Sequence, residues 1–167
     1  GCCDLGPVIL PRFVRHPFGV EGPASFDFER FEHAVALQVR ALDNVLDLTY
    51  WPLPQQKAEA AAKRRIGVGF TGLGNALTML GLRYDSAPGR NMATLIARHM
   101  RDAAYGASVA LAQEKGAFPA FDASTYLQDD NFVGRLPEAL KQSIRTHGIR
   151  NSHLLSIAPT GTVSLAF

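Results

Sequence analysis

Residues 66–70 read Ile-Gly-Val-Gly-Phe, a run without a polar or charged side chain, set between two stretches of helix formers. Such a run has to be covered, as a short buried strand or a turn in the core, so its neighbours decide the fold. Those neighbours are helical. Upstream, the Ala-rich stretch from about Gln55 to Arg65 reads as one helix; downstream, Ala76 to Leu80 reads as another, with Gly81 a natural stop. Earlier in the chain Asp27 can cap a helix in which Phe28, Phe31, Val35, Val39, Leu42 and Leu46 recur at three- and four-residue steps and form one apolar stripe. Trp51-Pro52-Leu53-Pro54 closes it off.

A long helix is predicted from about Arg90 to Lys115, with Ile96, Met100, Ala103, Ala104, Ala107 and Leu111 on one face. The small residues of its second half predict a close-packed neighbour. Leu136 to His147 gives a last helix with Pro137 in its first turn, and Leu154 to Ala158 a second buried strand. Residues 1–23, with Pro7, Pro11, Pro17 and Pro23, are expected to be irregular, and 117–135 to form a polar loop carrying aromatics. Helices separated by short apolar strands make this an α/β chain with buried strands.

Composition narrows the function classes. The chain has 167 residues, 47% of them hydrophobic and 19% charged, which is the make-up of a folded domain. With a net charge of +2 and Lys63-Arg64-Arg65 as its densest basic spot, no nucleic-acid partner is expected. No apolar run reaches the roughly 18 residues a membrane span needs, and no charged-then-apolar leader opens the chain, so a cytoplasmic protein without a membrane partner is expected. Cys2 and Cys3 are adjacent and cannot readily close an unstrained disulfide with each other; a redox role would need a partner thiol elsewhere. Both ends read as cut, so the chain is taken as a single-domain piece, residues 1–167, of something longer.

Three motifs carry candidate chemistry. Gly67, Gly69 and Gly72 fit G-x-G-x-x-G, with Asp85 following 13 residues later, which raises the alternative of a nicotinamide-dependent dehydrogenase. A dinucleotide turn needs a full strand before its first glycine. Only Ile66 stands there, so tight strand-to-helix packing is the expected role of the glycines. Pro159-Thr160-Gly161-Thr162-Val163-Ser164 offers hydroxyls and backbone amides that could hold an anion; lacking a Lys after the glycine it is not a P-loop, and alone it is as readily a Pro-Gly turn with capping hydroxyls. The histidines at 16, 33, 99, 147 and 153 have no i, i+4 carboxylate pairing, so no metal site is expected. Asp129-Asp130 reads as solvated.

Taken together, these segments resemble the large subunits of ribonucleotide reductases. Gly1-Cys2-Cys3-Asp4-Leu5-Gly6 is similar to their G-x-C-x-L-G-S-x-N-L segment, and Leu42-Asp43-Asn44-Val45-Leu46-Asp47 with Tyr50-Trp51-Pro52 to their L-D-N-V-I-D helix end. Arg64-Arg65-Ile66-Gly67-Val68-Gly69 and Gly72-Leu73-Gly74 resemble R-R-I-G-x-G and G-L-[AG]-D. Tyr105-Gly106-Ala107-Ser108 and Glu114-Lys115-Gly116-Ala117-Phe118-Pro119 resemble A-Y-x-A-S and E-x-G-x-F-P. His147 to His153 leading into Ile157-Ala158-Pro159-Thr160-Gly161-Thr162 looks like the adenosylcobalamin-dependent members. The blocks follow one order from end to end.

The resemblance implies about half of a ten-stranded α/β barrel. It also implies reduction of ribonucleotides, diphosphates by expectation, through thiyl-radical chemistry in which a cysteine pair gives two electrons. Cys3 falls on one member of that pair, with its partner outside the chain, and Cys2 on a position filled by a small residue in the family. Pro159, Thr160, Gly161, Thr162 and Ser164 fall on the loop holding the substrate's phosphates, a task that amides and hydroxyls perform without titrating. Adenosylcobalamin as cofactor, a thioredoxin- or glutaredoxin-type reductant and a homodimer of the full-length protein come with the family. Pro7 stands where it has Ser, Ile9 where it has Asn, and Asn75 where it has Asp. The N-x-C-x-E segment of the radical cysteine is absent, so these 167 residues alone are expected to show no turnover.

Overall fold

The computed structural model describes residues 3–166, with backbone only at Ser164 and Ala166. Strand β1, Asp4–Ile9, leads through a 3-10 turn at Leu10–Phe13 to a two-residue pair, β2 (Val14–Arg15) antiparallel to β3 (Ser25–Phe26). Helix α1 (Phe28–Leu48) follows, then α2 (Pro54–Lys63), β4 (Ile66–Thr71), α3 (Leu73–Met79) and α4 (Ala87–Lys115). Short α5 (Ala123–Tyr126), a 3-10 turn at Phe132–Arg135, α6 (Glu138–His147) and α7 (Val163–Ala166) complete the order.

The sheet is parallel, β1 running beside β4 with Asp4 opposite Ile66 and Ile9 opposite Thr71. On the other edge of β4, Val68 makes a parallel bridge to Leu155. Parallel neighbours need long crossovers, and the helices provide them: α1 and α2 return the chain from β1 to β4, and α3 to α6 from β4 to Leu155.

The sequence expectations for α1 hold. Asp27 accepts a hydrogen bond from the Arg30 backbone N–H at 3.1 Å, and Phe31, Val35, Val39, Leu42 and Leu46 are buried. Each fully buried side chain of that kind contributes about 1.5–3 kcal/mol. Along α4, Ile96, Met100, Ala104 and Leu111 face the core, and the helix begins earlier than expected because Ser86 caps it, accepting from Gly89 N–H at 3.2 Å. Helices α1 and α4 pack together and are joined outside by Arg40 donating to Glu114 at 2.9 and 2.5 Å.

Three expectations need correction. Residues 1–23 are not irregular throughout: residues 4–9 form β1, whose Pro7 is tolerated because among the described residues β1 is an edge strand, where a missing N–H is least costly. The 117–135 stretch is not all loop, since Asp122 caps α5 by accepting from Thr125 N–H at 2.9 Å and Phe118, Phe121 and Tyr126 pack edge to face. Residues 154–158 are not a fully buried strand. One bridge holds them, Leu154 is buried, and Ile157 is 57% exposed.

Candidate active site

The two faces of the sheet differ. Side chains alternate across a strand, so Gly6 and Val8 share a face with Val68, and a Cβ at Gly6 would run into Gln38 and Leu42 of α1. That is the helix-covered face. Leu5, Gly67 and Gly69 belong to the other. Leu5 is 48% exposed, and Cys3, just before β1, is exposed as well.

Two glycines give this open face its shape. A Cβ on Gly67 would lie 2.9 Å from Ser156 Cβ and 3.4 Å from Cys3 Sγ, besides striking the Leu5 side chain. A Cβ on Gly69 would strike the Ser156 carbonyl. Cys3 and Ser156, from opposite edges of β4, therefore close over Gly67 together with the Leu5 side chain. The glycines serve approach between strand segments, not strand-to-helix packing. Gly67 and Gly69 lie inside β4 and not in a turn after it, while Asp85 ion-pairs at the surface with Arg83 at 3.1 Å. The dinucleotide arrangement is not formed, and the dehydrogenase alternative is dropped.

Beyond Ser156 the chain runs off the carboxyl end of the sheet into Pro159-Thr160-Gly161-Thr162, the end at which open α/β sheets present ligands. Thr160 takes a left-handed conformation, φ +62°, where a β-branched residue is strained. Pro159, Gly161 and Thr162 are exposed and Thr160 is half-buried. The side chain of Ser164 and all of Cys2 lie outside the described residues. Among the described residues no three His, Cys, Asp or Glu side chains gather as a metal site, and no helix is long and apolar enough to cross a membrane.

Behind the sheet lies a polar cluster that the sequence reading did not single out. Asp43, on α1, is fully buried. Arg64 donates from Nε to Asp43 Oδ1 at 2.8 Å, from Nη2 to the Asp43 carbonyl at 2.9 Å and from Nη1 to Asp47 at 2.8 Å. Arg150 Nε donates to Asp43 Oδ2 at 3.2 Å. Asn151 Nδ2 donates to Asp43 Oδ1 at 2.9 Å and to the Arg64 carbonyl at 3.1 Å. Ser108 of α4 donates to Asn151 Oδ1 at 2.9 Å and accepts from Asn151 N–H at 3.1 Å. Burial pushes the Asp43 carboxyl up, but the Arg64 hydrogen bond and the charges of Arg64 and Arg150 outweigh it and hold the group below its ordinary value. One signal in the sequence marked the spot: Asp43 stands four residues after Val39 and three before Leu46, on the apolar stripe of α1, where a carboxylate must be partnered.

A second grip lies nearby. Tyr126 donates its hydroxyl to the Ser152 carbonyl at 3.2 Å. Burial pushes its neighbour Tyr105 up to about 12, and burial with the Tyr105 contact raises Tyr126 further, so the Tyr126 hydroxyl keeps its proton and its role as donor.

The model of the family "ribonucleotide reductase, barrel domain" matches residues 1–167. The vitamin B12-dependent ribonucleoside-diphosphate reductase of Mycobacterium tuberculosis H37Rv is 36% identical over 163 residues, 98% of this chain and 20% of that protein. The ribonucleoside-diphosphate reductase subunit alpha of Treponema pallidum is 35% identical over 144 residues, 83% of this chain and 17% of that protein. The large chain of the enzyme from Encephalitozoon cuniculi is 31% identical over 174 residues, 99% of this chain and 22% of that protein. The chain thus spans about a fifth of the length of these relatives.

Proposed function

The chain belongs to the ribonucleotide reductase barrel-domain family, and from that premise we propose that its full-length protein reduces ribonucleoside diphosphates to deoxyribonucleotides, with Cys3 as one of the two cysteines that supply the electrons. In the overall step the 2′-hydroxyl leaves as water and hydrogen takes its place. Cys3 and a partner thiol elsewhere in the protein give up two electrons and two protons and close a disulfide. A dithiol reductant of thioredoxin or glutaredoxin type reopens it. The observation that carries this reading is the meeting of Cys3 and Ser156 over Gly67, which leaves an exposed thiol on the open face of the sheet beside Leu5.

In this reading Pro159, Thr160, Gly161, Thr162 and Ser164 hold the substrate's phosphates. Hydroxyls and amides suit that task because they bind anions without titrating. Adenosylcobalamin as radical source rests on the names of relatives from Mycobacterium tuberculosis and Thermoplasma acidophilum, which are called vitamin B12-dependent. A homodimer, a cytoplasmic setting and inactivity of the 167 residues alone belong to the same proposal.

The test is an assay of the full-length protein with a ribonucleoside diphosphate, adenosylcobalamin and a dithiol. Deoxyribonucleotide formation that stops without the cobalamin is expected. Formation that continues without it leaves the reductase and removes its cobalamin class; no formation under any radical source overturns the reading.

A further inference from the structure

We infer that Asn151 sets the register at which the segment carrying Ser156 lies along β4, and through it the position of the loop at 159–162. The consequence for that loop rests on the proposed phosphate-holding role; the register itself does not.

Residues 150–156 are fastened step by step. Arg150 N–H donates to the Ser108 carbonyl at 3.1 Å and Ser152 N–H to the Lys63 carbonyl at 3.1 Å; the His153 and Leu154 carbonyls accept from Ile66 and Val68 at 3.0 and 2.7 Å; Ser156 N–H donates to the Val68 carbonyl at 3.0 Å. All of these are backbone bonds, and a backbone ladder is blind to sequence: shifted by one residue it would close equally well.

Apolar patterning normally removes that ambiguity, and here it does not. A forward slip puts Leu155 in the buried place of Leu154, one leucine for another, and Ile157 in the place of Ser156. Over Gly67 the larger residue would meet the end of the Leu5 side chain, which is exposed and flexible enough to turn aside. The opposite slip would bury His153 where Leu154 now sits, so only the forward one is cheap.

Asn151 distinguishes the two, beside Arg150, whose half-buried side chain donates to Asp43 and to the Lys115 and Gly116 carbonyls. Fully buried, Asn151 directs its amide hydrogens to Asp43 and the Arg64 carbonyl and its oxygen to the Ser108 hydroxyl, which in turn accepts its backbone N–H. In the slipped register Ser152 would stand there. Its single hydroxyl cannot answer Asp43, the Arg64 carbonyl and Ser108 together, and buried groups left without partners are costly. The lock therefore lies in a side chain five residues before Ser156, on the helix side of the sheet.

The experiment uses the full-length protein with Cys2→Ser and with the cysteine that pairs with Cys3 replaced by Ser, so that Cys3 is the one native thiol within reach, and Ser156→Cys as register reporter. Dibromobimane bridges two neighbouring thiols by two alkylations, releasing two bromides and needing no oxidant. A bridge from Cys3 to the thiol introduced by Ser156→Cys is expected in the reporter. Adding Asn151→Ala lowers its yield about tenfold, the shift that losing a set of buried hydrogen bonds produces in a two-register equilibrium. Equal yield in a variant that melts cooperatively overturns the inference, as does a reporter that forms no bridge. If Asn151→Ala does not fold, Ser108→Ala, which removes two of the four bonds, decides by the same readout. Separately, Thr160→Ala should raise the substrate KM several-fold; an unchanged KM ends the phosphate-loop reading and leaves the register result standing by itself.

Discussion

Arg64 and Asp43 meet at 2.8 Å where the side chain of one is 8% exposed and that of the other not at all. The pair joins the end of α2, two residues before β4 begins to pair, to the last turns of the core-facing stripe of α1. Breaking a buried pair from one side leaves an uncompensated charge, at about 3–5 kcal/mol. Arg64→Met in the full-length protein should lower stability by that order, read as the urea midpoint of the unfolding step that includes this domain. Arg64→Lys should not rescue it, because an ammonium cannot reach Asp43 Oδ1, the Asp43 carbonyl and Asp47 together. Wild-type stability in Arg64→Lys would show that the fork geometry is unimportant.

The same carboxylate sets a pH dependence. Its folded pKa lies below the ordinary value of 3.8, so its stabilisation is complete above that value and is lost as pH falls through the depressed one. Hydrogen exchange in the peptide covering residues 150–156 should be slow and insensitive to charge state from neutrality down to about pH 5, then accelerate relative to the intrinsic rate as acid protonates Asp43. Asp43→Asn should exchange faster at neutral pH and lose the acid step. An acid step that survives in Asp43→Asn assigns it to another group.

Two glycines give opposite expectations. Gly69→Ala puts a methyl against the Ser156 carbonyl, and forcing an extra carbon into a packed site costs about 1–3 kcal/mol. Gly74→Ala, in α3, meets nothing within 4 Å and should gain about 0.5–1 kcal/mol from the better helix former. Thermal melts of the two variants, moving in opposite directions, check this. A neutral Gly69→Ala would mean that the segment at Ser156 can retreat from β4.

Much of this fold was legible because it rests on local periodicity. Asp27 with Phe31, Val35, Val39, Leu42 and Leu46 announces α1, and Ile96, Met100, Ala104 and Leu111 announce α4. What stayed hidden depends on contacts far apart in the chain. β1 reads as irregular because Pro7 outweighs Val8 locally, whereas its partner β4 lies some sixty residues away. Asn151 finds Asp43 at a separation of 108 residues and Ser108 at 43, and no spacing rule anticipates that. Of the site, the roles of Cys3 and of the 159–164 loop rest on family likeness; the loop's own residues announce only hydroxyls and amides able to hold an anion. Ser156, in an apolar run, gave no sign that it would stand beside Cys3, since that depends on two glycines in a third segment.

Whether Cys3 supplies electrons to the substrate is read from a single turnover. Full-length protein, fully reduced and then freed of dithiol, is given a ribonucleoside diphosphate and its radical source, quenched with an alkylating agent and mapped by mass spectrometry. One deoxyribonucleotide per active site is expected, with Cys3 recovered in a disulfide to a cysteine outside these 167 residues, and no sustained turnover for Cys3→Ser with a dithiol. Product formed while Cys3 stays an alkylatable thiol, or a Cys3→Ser variant turning over at the wild-type rate, would contradict it.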